Sequence, residues 1–252
     1  MSSRNQVIVE SPVAKFLTWK TQYDENENPI GGTLVWYDKE AKKDVPYALP
    51  FSFALIDDDA VTFKGYNEAT KEGVWSNEGY RPNHEIVLKS KTETLLKFNL
   101  GDYKKVKDQI KGFGAKYTKV IYCAVKPGEE GNFALWAITL SGAGLTGGVD
   151  MDNFDPTDKM RGYFNATKNI GKTKMIGNMI VIASADKKKK GKTNFYVPNF
   201  EVGNVITEEE NNELKALNNK LTEYRKFYYN KPKDEVVETA VAETTTKEPW
   251  DE

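Results

Sequence analysis

The sequence predicts a mainly β protein with two amphipathic helices and an acidic C-terminal tail. Three observations predict it. Runs rich in β-branched and aromatic residues, separated by turn-forming clusters, fill most of residues 33 to 98. The apolar spacing becomes helical after Gly101 and again after Thr207. Beyond Asn230 the composition shifts to Glu, Thr, Val, Ala and Pro with no sustained period.

Taken in order, the first strands are Thr33 to Tyr37, Val45 to Leu55, Ala60 to Tyr66, His84 to Lys91 and Thr94 to Leu100. Asp57-Asp58-Asp59 and Arg81-Pro82-Asn83 read as the turns between them. Tyr103, Val106, Ile110 and Phe113 are spaced 3, 4 and 3, and Lys104, Lys105, Lys107 and Lys111 fall off that line, so a helix is predicted, ended by Gly112 and Gly114. Lys116 to Val125 and Asn132 to Leu140 read as strands joined by a proline- and glycine-containing hairpin loop. A buried strand is expected at Met175 to Ala183, then a lysine-rich hairpin tip at Lys187 to Lys190 extended by Lys192, then Thr193 to Val197. Thr207 and Glu210 fit a capping box, in which each side chain satisfies an orphan backbone N–H of the other residue. Leu214, Leu217, Leu221, Tyr224 and Tyr228 then repeat at 3, 4, 3 and 4 and mark one buried helix face. Residues 1 to 230 are read as one domain and 231 to 252 as a solvated tail.

Composition narrows the function. With 39% hydrophobic and 29% charged residues, the 252-residue chain has material for a core. A single cysteine, Cys123, excludes an intramolecular disulfide framework, and with His84 as the one histidine the ligands of a zinc finger are missing. MSSRNQVIVE lacks the apolar stretch of a signal peptide, and no window approaches the ~18 apolar residues of a membrane span. A cytoplasmic protein with no membrane partner is expected. The net charge of −1 hides opposed blocks: +7 from Arg81 to Lys126, +9 from Lys159 to Lys192 and −4 from Lys231 to Glu252. Such asymmetry suggests a basic binding surface with an acidic appendage.

Several catalytic motifs fail on inspection. Gly142-Ala-Gly144-Leu-Thr-Gly147 has dinucleotide-fingerprint spacing, but the continuation Val149 to Pro156 does not read as the helix that would hold a pyrophosphate. The Gly-Lys-Thr triplets at 171 to 173 and 191 to 193 lack the glycine five residues earlier, where Ala166 and Asp186 stand. Asp150, Asp152, Asp155 and Asp158 lack the glycine and distal glutamate of an EF-hand loop. His84 has no recognisable partner, and Cys123 falls in an apolar strand that favours a small buried thiol. Without a nucleophile, base and oxyanion site together, no enzyme, metal or cofactor is expected.

What survives is the interleaving of cations with aromatic rings, the pairing that holds single-stranded nucleic acid through phosphates and stacked bases. The candidates are Trp75, Tyr80 and Arg81; Lys89 and Lys91; Lys111, Lys116, Tyr117, Lys119 and Tyr122; and Arg161, Tyr163, Lys172 and Lys174. On a strand, Tyr117 and Lys119 share one face and Lys116, Thr118 and Tyr122 the other, so one set covers the core and the other meets a ligand. In the tail, Trp250 stands among acids with Asp251 and Glu252 after it, a layout suited to docking in a partner's pocket.

With its acidic tail ending Pro249-Trp250-Asp251-Glu252, the chain resembles the single-stranded-DNA-binding proteins of bacteria and their phages. Lys64-Gly-Tyr-Asn-Glu68, Trp75-Ser-Asn-Glu78 and Tyr103 to Tyr122 also look like phage-encoded replication-associated proteins. The resemblance covers architecture, and tails of that family commonly end at or next to phenylalanine, whereas the aromatic here is tryptophan. It implies an elaborated oligonucleotide-binding-type β-barrel that coats single-stranded DNA in replication, recombination or repair. It also implies a tail that recruits partner proteins and competes with DNA. The other class kept open is a viral structural or assembly protein that uses the 207 to 229 helix to pack on a neighbouring subunit.

Overall fold

A computed structural model describes residues 10–128, 131–148, 162–190 and 193–230. Its centre is one long strand, β4 (Phe51–Asn67). One edge of β4 pairs antiparallel with β8 (Ala115–Val125) almost throughout. The other edge is shared: Phe51 to Ala54 pair with β10 (Asn178–Lys190), Val61 bridges Gly79, and Lys64 to Asn67 pair with β5 (Glu72–Ser76). The sheet therefore forks at β4 into a body and a wing.

The wing continues from β5 to β6 (Glu85–Lys89) and β7 (Thr94–Asn99). The body runs from β8 to β9 (Ala134–Ser141), β1 (Lys15–Tyr23), β2 (Pro29–Asp38) and β3 (Lys43–Tyr47), with β1 and β9 parallel. β10 and β11 (Thr193–Val205) form a hairpin that folds back over the body. It is fastened there by side chains, the Trp19 indole N–H donating to the Tyr196 carbonyl at 2.9 Å and the Tyr196 N–H donating to Thr21 Oγ1 at 3.2 Å. The result is mainly β and open, since the strand pairing among the described residues does not close a barrel.

Both sheet faces carry apolar residues because both are covered. On one face the body core gathers Leu17, Leu34, Phe53, Ile121, Ile138 and Phe200, and the wing core gathers Phe63, Val74, Ile86, Leu88 and Phe98 under α1 (Tyr103–Gly112). On the other face lies α5 (Glu208–Asn230), whose Leu214 meets Ala54, Ala124 and Phe133, and whose Leu221 meets Ala60, Val120 and Tyr122. Each fully buried leucine contributes about 1.5–3 kcal/mol, which anchors a helix otherwise polar. The helix starts where the capping box expects: the Thr207 N–H donates to Glu210 Oε2 at 3.0 Å and the Glu210 N–H to Thr207 Oγ1 at 3.2 Å.

Several elements depart from the sequence expectation. Asp57-Asp58-Asp59 is not a turn between two strands; β4 runs through it with irregular register against β8, as a bulged strand does. Two helices were expected, whereas α2 (Ala143–Thr146), α3 (Tyr163–Ile170) and α4 (Lys172–Gly177) add to α1 and α5. Met175 belongs to α4, and the strand begins only at Asn178. Lys187, Lys188 and Lys189 are ladder positions opposite Tyr196, Phe195 and Asn194, not a hairpin tip. β1 was not foreseen. Asp150, Asp152, Asp155, Asp158, Arg161, Lys192 and the whole tail, with Trp250, Asp251 and Glu252, lie outside the described residues.

The junction of wing and body depends on two glycines. A Cβ on Gly65 would lie 2.0 Å from the Gly114 carbonyl oxygen, and one on Gly114 (φ +78) 1.9 Å from that of Tyr66. Only glycine allows this backbone approach. It lets α1 return directly into β8 and brings Lys116 alongside Lys64.

Candidate nucleic-acid interface

Ladder register places four side chains in one row across the wing. Lys116 of β8 is opposite Lys64 of β4, Lys64 is opposite Trp75 of β5, and Trp75 is opposite Lys89 of β6. Directly paired residues point to the same face, and neighbouring strands lie ~4.8 Å apart, so the row is a continuous strip of charge around one indole. Tyr66, two residues beyond Lys64, and Lys97, opposite Val87 on β7, extend the same face. Glu85, two residues from Val87 on β6, lies on the same face. Lys116 and Lys97 are exposed, and Lys64, Trp75 and Lys89 are half-buried. The reverse of this layer is the wing core under α1, so the strip rests on packed strands.

The other face carries a groove of about 350 Å³ lined by Asp59, Val61, Tyr80, Arg81, Tyr103 and Tyr117. The Tyr103 and Tyr117 rings are 5.4 Å apart. Burial pushes both phenols above their usual range, so they remain neutral donors at physiological pH. Arg81 is exposed, and Lys119, half-buried, shares the Tyr117 face.

Tyr80 is held from α5. The Arg225 guanidinium lies 4.6 Å from the Tyr80 ring and 4.7 Å from the Tyr122 ring, and its Nη2 donates to Asp57 Oδ1 and Glu78 Oε1, each at 3.2 Å. Burial disfavours the guanidinium charge, but the hydrogen bond to Asp57 and the two carboxylate charges outweigh it and raise its pKa. Burial also pushes the Glu78 carboxyl up, against hydrogen bonds from the Tyr122 hydroxyl and Arg225. His84 packs edge-on to Tyr80 at 4.4 Å and accepts the Tyr80 N–H at 3.3 Å.

The candidates thus divide. Trp75, Lys89 and Lys116 come together on the strip, Tyr80, Arg81 and Tyr117 line the groove, and Lys119 stands opposite Val61 in the β4–β8 ladder. Lys91 follows β6 and is exposed, Lys174 is exposed on α4, and Lys111 is exposed in the last turn of α1, where a cation favours the helix end. Tyr122 and Tyr163 are corrections. Tyr122 shares the Lys116 face but lies under α5 at 5% exposure, where it donates to Glu78. Tyr163 is fully buried and donates to Asp58 Oδ2 at 3.0 Å. Neither offers a ring to a base. Lys172 pairs with Asp58 at 3.0 Å and Asp59 at 3.4 Å, so its charge is engaged within the fold.

Sequence reasoning missed Lys64, Tyr66, Lys97 and Tyr103 as members of these surfaces. For Lys64 and Tyr66 the alternation of β4 was a usable signal, since both fall opposite to buried Phe63. Cys123 is fully buried, and burial pushes its thiol far up, which leaves it inert. Gly142 to Gly147 holds only the single turn of α2. Among the described residues no cluster of His, Cys, Asp and Glu is arranged to hold a metal, and no helix is long and apolar enough to cross a membrane. Comparison with family models, curated proteins and solved structures finds no match.

Proposed function

We propose that the protein is a non-catalytic single-stranded-DNA-binding protein, and that the wing face is its platform. The observation that carries the reading is the row Lys116, Lys64, Trp75, Lys89. Lysines on either side of a half-buried indole supply phosphate contacts and a stacking surface together, on strands backed by a helix. Stacking on Trp75 needs unpaired bases, which favours single strands over duplex. Within this reading the body, an open sheet over which the β10–β11 hairpin folds back and is fastened through Trp19, Tyr196 and Thr21, takes the place of a closed oligonucleotide-binding-type barrel.

The acidic tail, residues 231 to 252, is proposed to recruit replication or recombination proteins and to compete with the strand for the lysines. Its charge of −4 against the basic blocks supports this role. The full chain is titrated with fluorescently labelled oligo-dT of increasing length, with duplex of equal length as competitor. Binding should tighten with length and resist duplex, and deleting residues 231 to 252 should strengthen it. Absence of length-dependent binding would transfer the chain to the structural or assembly class.

A further inference from the structure

Resting on the single-strand reading above, we infer that the tyrosine groove is a second subsite of the same nucleic-acid site, taking one unstacked base turned over the end of β8. Lys116 and Tyr117 are consecutive, so one faces the strip and the other the groove. Pairing of β8 with β9 begins only at Thr118, opposite Ser141, and Gly142 (φ +48) then turns the chain into α2. Among the described residues, the Lys116–Tyr117 stretch is therefore bordered on the β9 side by no strand. A polynucleotide leaving the strip has a short route around this edge.

The groove suits a nucleotide in charge, size and surface. Asp59, the acid in its lining, is engaged by Lys172 at 3.4 Å, while Arg81 is exposed and Lys119 stands two residues from Tyr117. Arg81 and Lys119 are the cations near a phosphate placed there, and Lys172 holds the neighbouring acids Asp58 and Asp59. Its volume of about 350 Å³ lies at the small end of ligand sites, enough for one base and its sugar. Val61 and Leu100 make an apolar floor, and the neutral phenols of Tyr103 and Tyr117 combine a ring face with a hydrogen-bond donor.

The test is photocrosslinking of the full chain to oligo-dT carrying one 5-iododeoxyuridine, moved along the strand, with the crosslinked peptides mapped. Binding of Tyr103→Leu and Tyr103→Phe is measured alongside. Internal positions should crosslink to Trp75, and a position near one end should crosslink to Tyr103 or Tyr117. Tyr103→Leu should weaken binding by ~5-fold or more, and Tyr103→Phe should restore it. Crosslinks confined to Trp75, together with wild-type binding by Tyr103→Leu, would remove the groove and leave the platform standing. Suppression of the end crosslink when an acidic aromatic peptide is present during irradiation, with the crosslink at Trp75 retained, would assign the groove to a protein partner instead. No binding and no crosslink would remove both.

Discussion

Lys64 and Lys116 stand directly opposite one another in the β4–β8 ladder, two positive charges on one sheet face. Such a pair works against folding, by a few tenths of a kcal/mol up to about 1 kcal/mol. A phosphate between the two ammonium groups reverses the sign of that interaction. Lys116→Gln should therefore have opposed effects, raising stability in urea by about 0.3–1 kcal/mol and weakening the affinity for oligo-dT. Greater stability with unchanged affinity would mean that the row is not where the strand lies.

Arg225 is the pin that holds α5 to the rest. Its guanidinium joins Asp57 of β4 to Glu78 of the β5–β6 connection and packs between two tyrosine rings. Arg225→Met leaves Asp57 without its ion-pair partner and should cost about 3 kcal/mol in urea unfolding. Arg225→Lys should recover only part, because an ammonium does not present the planar fork. If Arg225→Met unfolds like wild type, α5 is held by its leucines alone.

Tyr163→Phe separates a structural tyrosine from a binding one. Removing its hydroxyl deprives buried Asp58 of one donor, and the expected loss is about 1–2 kcal/mol of stability with oligo-dT affinity unchanged. A weakened affinity in a folded Tyr163→Phe protein would return this residue to the interface.

The pH response of the groove wall rests on His84. Partial burial, followed by the positive charges of Arg81 and Arg225, holds its imidazole below the ordinary 6.5. Between the folded and unfolded values the unfolded chain binds more protons, so the contribution of His84 to stability is complete above ~6.5 and is lost as pH falls through the folded value. Protonation also removes the acceptor used by the Tyr80 N–H. Because His84 is the single histidine, its NMR titration is unambiguous, and the midpoint should lie below 6.5. A midpoint above 6.5 would contradict the packing described around Tyr80.

The helices with a long period were legible in the sequence, and the capping box at Thr207 and Glu210 forms as its spacing predicts. Short elements were less so: α3 and α4 have too few residues to display a period, and the apolar run from Met175 conceals a change from helix to strand at Gly177. The three aspartates at 57 to 59 look like a turn because such residues usually are solvated. Here Asp57 turns to Arg225 and Asp58 to Tyr163 and Lys172, partners more than a hundred residues away. The same distance hides the fate of Tyr122 and Tyr163, since a tyrosine that stacks on a base and one that donates to a buried carboxylate look alike until their neighbours are known. The alternation around Lys116 and Tyr117 marks two faces, but both are covered along most of β8, by the core on one side and by α5 on the other, and which end lies under α5 depends on the far end of the chain.

The most direct measurement is the salt dependence of oligo-dT affinity for wild type and for a variant with Lys64, Lys89, Lys97 and Lys116 all changed to Gln, both first shown to be folded. Each phosphate contact contributes a slope of about −0.7 in log K against log salt for single strands, so the variant should bind more weakly, with a slope shallower by about 3. A wild-type chain that does not bind oligo-dT at low salt, or a variant that keeps the wild-type slope, would contradict the account.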